Sequence, residues 1–274
     1  MPDFPPMKTA AFAHCPPTPT LVDTHCHLDA PEFDADRDEV VAEAQALGLG
    51  QILVPAVDVS RFESVLEQRR RYGCWIAFGL HPLYLSSHLD DHLAVLEQAL
   101  TRHAPVALGE IGLDFHVTGL DPARQQALFI EQLKLARRYD LPVLLHVRRA
   151  QDKVLRFLRE QRIERGIAHA FNGSEQQARA YIRQGMLLGF GGSMTYDGSL
   201  RIRRLAASLP LDSIVLETDA PDIRPAWAQQ TPNRPAQLAR YAQLLAALRG
   251  VSHDIVTKTV FNNIINTLKF SGIL

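Results

Sequence analysis

Residues 142–147 read PVLLHV, 165–171 RGIAHAF, 186–192 MLLGFGG and 213–219 SIVLETD. Each is a short run rich in Val, Ile, Leu or Phe, mostly without alternation of apolar and polar residues. That composition suits a parallel strand buried on both faces. The pattern continues upstream through TLVDTHC (20–26), QILVPAV (51–57), CWIAFGL (74–80) and VALGEIG (106–112). The eight runs start 21–36 residues apart, which fits one strand plus one helix each. Amphipathic segments lie between them, such as 36–48 and 122–139. The second of these has Asp121 as its N-cap and Pro122 at its first helical position. Residues 235–248 and 252–269 predict two further helices. Eight such units make an α/β chain, a (β/α)₈ TIM barrel in a single domain over 20–274, preceded by a Pro-rich leader over 1–19. The competing architecture, a doubly wound open sheet, calls for a Gly-rich phosphate loop after an early strand. The GLGQ at 48–51 precedes a strand instead.

Composition narrows the function classes. The chain has 274 residues, 46% hydrophobic and 22% charged, which excludes a disordered chain. No run approaches the ~18 apolar residues of a membrane span. Lys and Arg number 29 against 30 Asp and Glu, a formal charge of −1. This balance argues against a surface that coats duplex DNA, but not against an enzyme that grips a strand end. Cys15, Cys26 and Cys74 make neither a disulfide framework nor a cysteine zinc cluster, and point to a reducing, cytoplasmic setting.

The chemistry is carried by position. His25 and His27 close the first run, Glu110 the fourth, His146 the fifth, His169 the sixth and Asp219 the eighth. In a parallel barrel these ends converge on one rim, where active sites of this fold are built. Residues i and i+2 of a strand share a face, so His25 and His27 enter the mouth together. A single such histidine is commonly a buried residue bonded to a backbone carbonyl; six coincident positions point to metal. Two divalent ions ~3.5–4 Å apart activate water and stabilise attacking and leaving oxygens. Glu110 between the imidazoles can bridge them, and Asp219 can ligate and take the proton of the attacking water. Histidine with carboxylate suits Zn²⁺ or Mn²⁺ better than Mg²⁺. His81, ending the third run, faces the mouth and either touches substrate or packs beneath a loop. His88, His92 and His103 fall on a helical stretch and read as solvated surface. His116 reads as a loop residue, and His14 and His253 lie away from strand ends.

DTHCHLD (23–29), GLHP (79–82), GEIGLD (109–114), LPVLLHVR (141–148), HAFNGS (169–174) and LETDAPD (216–222) resemble, in order, the signature blocks of TatD-family metal-dependent hydrolases, among the amidohydrolase-like barrels. LETDAPD with PNRP (232–235) is similar to the YjjV-like branch. The resemblance implies a deoxyribonuclease that trims DNA 3′ ends. It also implies that His25, His27 and Asp219 hold one ion, that His146 and His169 hold the second, and that Glu110 bridges. Arg148 would then meet a phosphate, or form a salt bridge on the rim. Related hydrolases bridge with a carboxylated lysine, yet none of Lys8, Lys134, Lys153, Lys258 and Lys269 falls at a strand end. Many members carry R-N-x-P where this chain has P-N-R-P. Arg224 and Arg234 would therefore replace the usual basic contacts. Trp227 either lids the rim or stacks on a base. Three readings stand: a nuclease, a hydrolase of a small ester, amide or lactone at the same site, and a catalytically idle metal-binding scaffold.

Overall fold

The computed structural model describes residues 20–268. The proposed leader, with His14, Cys15 and Lys8, and Lys269 at the far end lie outside them. Within that span eight parallel strands are hydrogen-bonded in chain order. They are β1 (Leu21–Asp23), β2 (Leu49–Pro55), β3 (Trp75–Phe78), β4 (Ala107–Asp114), β5 (Val143–Arg148), β6 (Gly166–Ala168), β7 (Met186–Phe190) and β8 (Ile214–Leu216). The seam between β8 and β1 closes beyond the strand ends. Thr24 N donates to Leu216 O (3.2 Å), Asp219 N to His25 O (2.8 Å) and His27 N to Ala220 O (2.8 Å). Sequential order excludes the doubly wound sheet, whose order reverses at a switch point.

Nine helices are described: α1 (Arg37–Ala46), α2 (Phe62–Tyr72), α3 (His92–His103), α4 (Pro122–Arg138), α5 (Gln151–Gln161), α6 (Glu175–Arg183), α7 (Leu200–Ser208), α8 (Leu238–Arg249) and α9 (His253–Leu268). The Asp121 cap forms as read, its Oδ1 accepting from Ala123 N (2.8 Å) and Arg124 N (3.3 Å). In the stretch 87–103 the α-helix begins only at His92, after a 3₁₀ turn over Pro82–Ser87. Trp75, Phe78, Phe129, Phe190 and Leu53 fill the core without exposure. Among the described residues, no helix is long and apolar enough to cross a membrane.

Helices also fix the strand ends. Gln132 of α4 accepts from Leu80 N (2.7 Å) and donates to Leu80 O (3.0 Å). Gln125 does the same at Asp114, at 2.9 and 3.0 Å. Each buried amide thus satisfies a donor and an acceptor that would otherwise be stranded at a strand end. Gly112 lets β4 approach β5: a Cβ there would stand 1.9 Å from His146 O, and φ is +152°. That close approach sets the register Gly112↔His146 and Asp114↔Arg148.

Candidate metal centre

His25, His27, Glu110, His146, His169 and Asp219 meet at the C-terminal mouth of the barrel. Asp23 at the end of β1 holds one side of it. Its Oδ1 accepts from His25 N (3.2 Å) and Thr218 N (2.9 Å), and its Oδ2 from Thr218 Oγ1 (2.6 Å). Burial, against these hydrogen bonds, pushes the Asp23 carboxyl up to about 8. Asp219 follows β8 at φ +53°, a left-handed conformation that aspartate tolerates better than most residues. Glu110 differs from the sequence expectation in one respect. It lies inside β4, which runs on to Asp114.

The two oxygens of Glu110 face different groups. Oε2 stands 3.2 Å from His25 Nε2 and 3.7 Å from His27 Nε2. Oε1 stands 3.1 Å from His146 Nδ1, 3.4 Å from His169 Nε2 and 3.2 Å from His81 Nε2. Asp219 Oδ1 completes the first group, 3.5 Å from His25 Nε2 and 3.7 Å from His27 Nε2, while the two Nε2 atoms are 3.3 Å apart. Donors on a zinc tetrahedron with bonds of about 2.0–2.1 Å stand about 3.3 Å from one another. The observed spacings therefore fit a small divalent cation. His169 also shares a ligand-spaced group with His25 and Asp219, so it stands between the two clusters. Burial and neighbouring His169 lower His25 to about 3. Burial alone would raise Glu110, but the surrounding histidines hold it well below the usual carboxylate range. His169 goes the other way: Asp219, Glu110 and Glu217 outweigh burial and lift it to about 10.

Behind the histidines stand carboxylates that the sequence reading did not single out. Asp114 Oδ2 lies 2.9 Å from His146 Nε2, while its Oδ1 accepts the amides of His116 (2.8 Å) and Val117 (3.0 Å). Burial works against ionisation of Asp114, yet these bonds hold its carboxyl below the usual range. An Nε2–H donated to Asp114 leaves the His146 Nδ1 lone pair free toward Glu110. Glu217 Oε1 stands 3.4 Å from His169 Nδ1. Gly189 makes room for it, since a Cβ there would meet Glu217 Oε2 at 2.2 Å. Acidic residues in GEIGLD and LETD signalled both positions.

His81 is buried, and its Nδ1 accepts from Leu83 N at 3.1 Å. A neutral imidazole accepting at Nδ1 carries its proton on Nε2, so His81 presents a donor to the cluster. His88 is not solvated as expected: it is buried, and its Nε2 donates to His81 O at 2.9 Å, because the 3₁₀ turn carries it inward. His92 and His103 are half-buried, and His116 and His253 are exposed.

A cavity of about 470 Å³ opens over the cluster, and His81 lines it. Arg148 and Arg234 do not. Arg148 Nη1 stands 3.7 Å from Asp114 Oδ2, the rim salt bridge that its register partner dictates. Arg234 pairs with Asp36 and Glu43 of the α1 region. Arg224 Nη1 donates to Gln229 O at 3.0 Å. The PNRP block acts instead through Asn233, whose buried amide donates to Thr218 O (2.7 Å) and Ile223 O (3.2 Å) and so braces the Asp219 loop. Trp227 packs against Tyr241, with the Arg240 guanidinium 3.9 Å above its ring. The exposed aromatic ring of the cavity wall is Tyr84.

The family described as TatD related DNase matches residues 22–269. Escherichia coli "Uncharacterized metal-dependent hydrolase YjjV" is 44% identical over 249 residues, 89% of this chain and 95% of that one. Its crystal structure superposes with a TM-score of 0.87 at 42% identity, covering 90% and 97% of the two chains. The Cronobacter sakazakii "3′-5′ ssDNA/RNA exonuclease TatD" is 34% identical over 238 residues, 84% of this chain and 90% of its own. Human "Deoxyribonuclease TATDN3" is 32% identical over 259 residues, 89% and 92% respectively. With eight sequential strands, a histidine–carboxylate mouth and these matches across its length, the chain belongs to the TatD family.

Proposed function

We propose that this protein is a metal-dependent phosphodiesterase that cleaves nucleotides from DNA 3′ ends. The observation that carries the reading is Glu110, whose two oxygens face separate histidine groups at cation-compatible spacing. In this reading His25, His27 and Asp219 would hold one divalent ion, His146 and His169 would hold the second, and Glu110 would serve both. The nitrogen-rich set favours Zn²⁺ or Mn²⁺ over Mg²⁺. Bound ions supply Lewis acidity toward the phosphoryl oxygen and ease deprotonation of the attacking water. Asp219, whose Oδ1 lies 3.5 Å from His25 Nε2 and 3.7 Å from His27 Nε2, is placed beside the first-ion group to take a proton from the attacking water. His81, whose Nε2–H faces Glu110 Oε1 at 3.2 Å and which lines the cavity, would turn that donor to a substrate phosphate oxygen once Glu110 is engaged by an ion. Asp114 and Glu217 keep the second-ion histidines turned toward Glu110.

The exonuclease and deoxyribonuclease names of the relatives support this reading. One observation favours a second, hydrolysis of a small ester, amide or lactone: the cavity wall carries Glu32 and Asp222, which oppose a long polyanion. An idle scaffold is disfavoured by a complete donor set. Cys26 and Cys74, buried and unpaired, accord with a cytoplasmic setting. The test is metal-reconstituted protein assayed side by side on 3′-labelled single-stranded DNA and a panel of carboxyl esters. Stepwise shortening of the DNA supports the reading, and turnover of esters alone overturns it.

A further inference from the structure

Arg61 is the single Lys or Arg on the cavity wall among the described residues. It sits in the loop between β2 and α2 and is tied down from one side. Its Nε donates to Asp29 Oδ2 (3.0 Å) and its Nη2 to Asp29 O (2.6 Å). Ser64 Oγ donates to the same Asp29 Oδ2 at 3.0 Å. Asp29 is buried and thereby fixed. The Arg61 Nη1 makes no hydrogen bond to another described residue. A guanidinium held along one edge, with donors left on the other, is preorganised for an oxyanion and loses little freedom on binding it.

The remaining wall restricts which anion reaches it. Glu32 and Asp222 line the same cavity, so a strand laid across the whole mouth would set phosphates against carboxylates. A strand end or a short nucleotide needs only one further favourable position. Building on the phosphodiester reading, we propose that Arg61 forms a subsite for a second, non-scissile phosphate of the substrate. Specificity then goes to phosphodiesters that carry a neighbouring phosphate, entering end-on. Of the expected cationic partners, Arg148 stands half exposed 3.7 Å from Asp114 and Arg234 pairs with Asp36 and Glu43, and neither lines the cavity.

The test uses the metal-loaded full-length chain and needs no turnover. Thymidine 3′,5′-bisphosphate and its two monophosphates are titrated calorimetrically into the wild type, Arg61→Gln and Arg61→Lys. Arg61→Gln removes the charge and Arg61→Lys keeps it, and circular dichroism with a thermal melt shows that both variants fold. The wild type should bind the bisphosphate about tenfold or more tighter than either monophosphate, the scale of one charge-assisted pair. Arg61→Gln should erase that gain and leave monophosphate affinity unchanged, and Arg61→Lys should restore part of it. Arg148→Gln and Arg234→Gln should keep it whole. The proposal is overturned by a wild type without the gain, by a gain that survives Arg61→Gln, or by an equal loss on all three ligands. A protein that shows the gain yet cuts no DNA would sink the phosphodiesterase reading and leave the anion subsite standing.

Discussion

Replacing Asp114 by asparagine isolates what a carboxylate behind a metal-binding histidine contributes. Asparagine is isosteric, and its Oδ1 still accepts from His116 and Val117, at 2.8 and 3.0 Å in the native protein. The backbone pairing of residue 114 with Gln125 is untouched. What changes is the atom 2.9 Å from His146 Nε2, which becomes an NH₂ donor facing an N–H donor. His146 must then protonate Nδ1 instead, which removes the lone pair aimed at Glu110, or turn away. A hydrogen bond to a charged partner is worth about 1.5–3 kcal/mol, or about 10–100-fold in a binding constant. Loss of such outer partners typically costs a metal site about as much. Competitive titration of the metal-free variant against a chromophoric chelator should show one ion weakened by that factor. The ¹⁵N shifts of His146 should report the change of tautomer. Wild-type affinity for both ions with an unchanged His146 tautomer would show that Asp114 does not set the His146 tautomer.

Three further outcomes follow from particular contacts. Gly189→Ala places a Cβ 2.2 Å from Glu217 Oε2 and 2.6 Å from its Cδ, so Glu217 must leave its place behind His169. It should lower stability by about 1–3 kcal/mol in urea unfolding and weaken metal binding, and a variant as tight and stable as wild type would count against that packing. Asn233→Ala removes a buried amide that bonds Thr218 O and Ile223 O, and should cost about 1–3 kcal/mol. Its turnover should fall further than its metal content, since the Asp219 loop is loosened; proportional losses would deny the bracing role. Stripping the metal with a chelator should lower the melting temperature, by an amount that grows with the free-metal concentration. At 100 times the dissociation constant an ion bound only by the folded state adds about 2.7 kcal/mol, and a melting temperature indifferent to metal would oppose the assignment.

The barrel was legible because strands buried on both faces must be apolar along their length, and the eight runs stand out for that reason. The donors were legible because His, Glu and Asp interrupt those apolar runs near their C-terminal ends although most of them are buried. Other features depend on geometry that no local pattern carries. Arg148 read equally as a phosphate contact or a rim salt bridge, and only the register Asp114↔Arg148 sets it beside a buried carboxylate. His88 looked solvated on a helical stretch, yet the 3₁₀ turn preceding α3 turns it inward onto His81. Asp114 and Glu217 were visible in their motifs, but their service to His146 and His169 follows only once neighbouring strands are aligned. Arg234, in the PNRP block, is drawn off by Asp36 and Glu43, 198 and 191 residues away along the chain. Arg61 carried no signal, because a loop arginine ahead of a helix gains meaning only where that loop borders the mouth.

Whether Glu110 serves two ions is read from the metal content of reconstituted, gel-filtered protein, measured by elemental analysis beside Glu110→Gln. Two equivalents of Zn or Mn per chain are expected in the wild type and fewer than two in the variant. A wild type that retains one equivalent or none, or a Glu110→Gln variant that still retains two, would contradict that role.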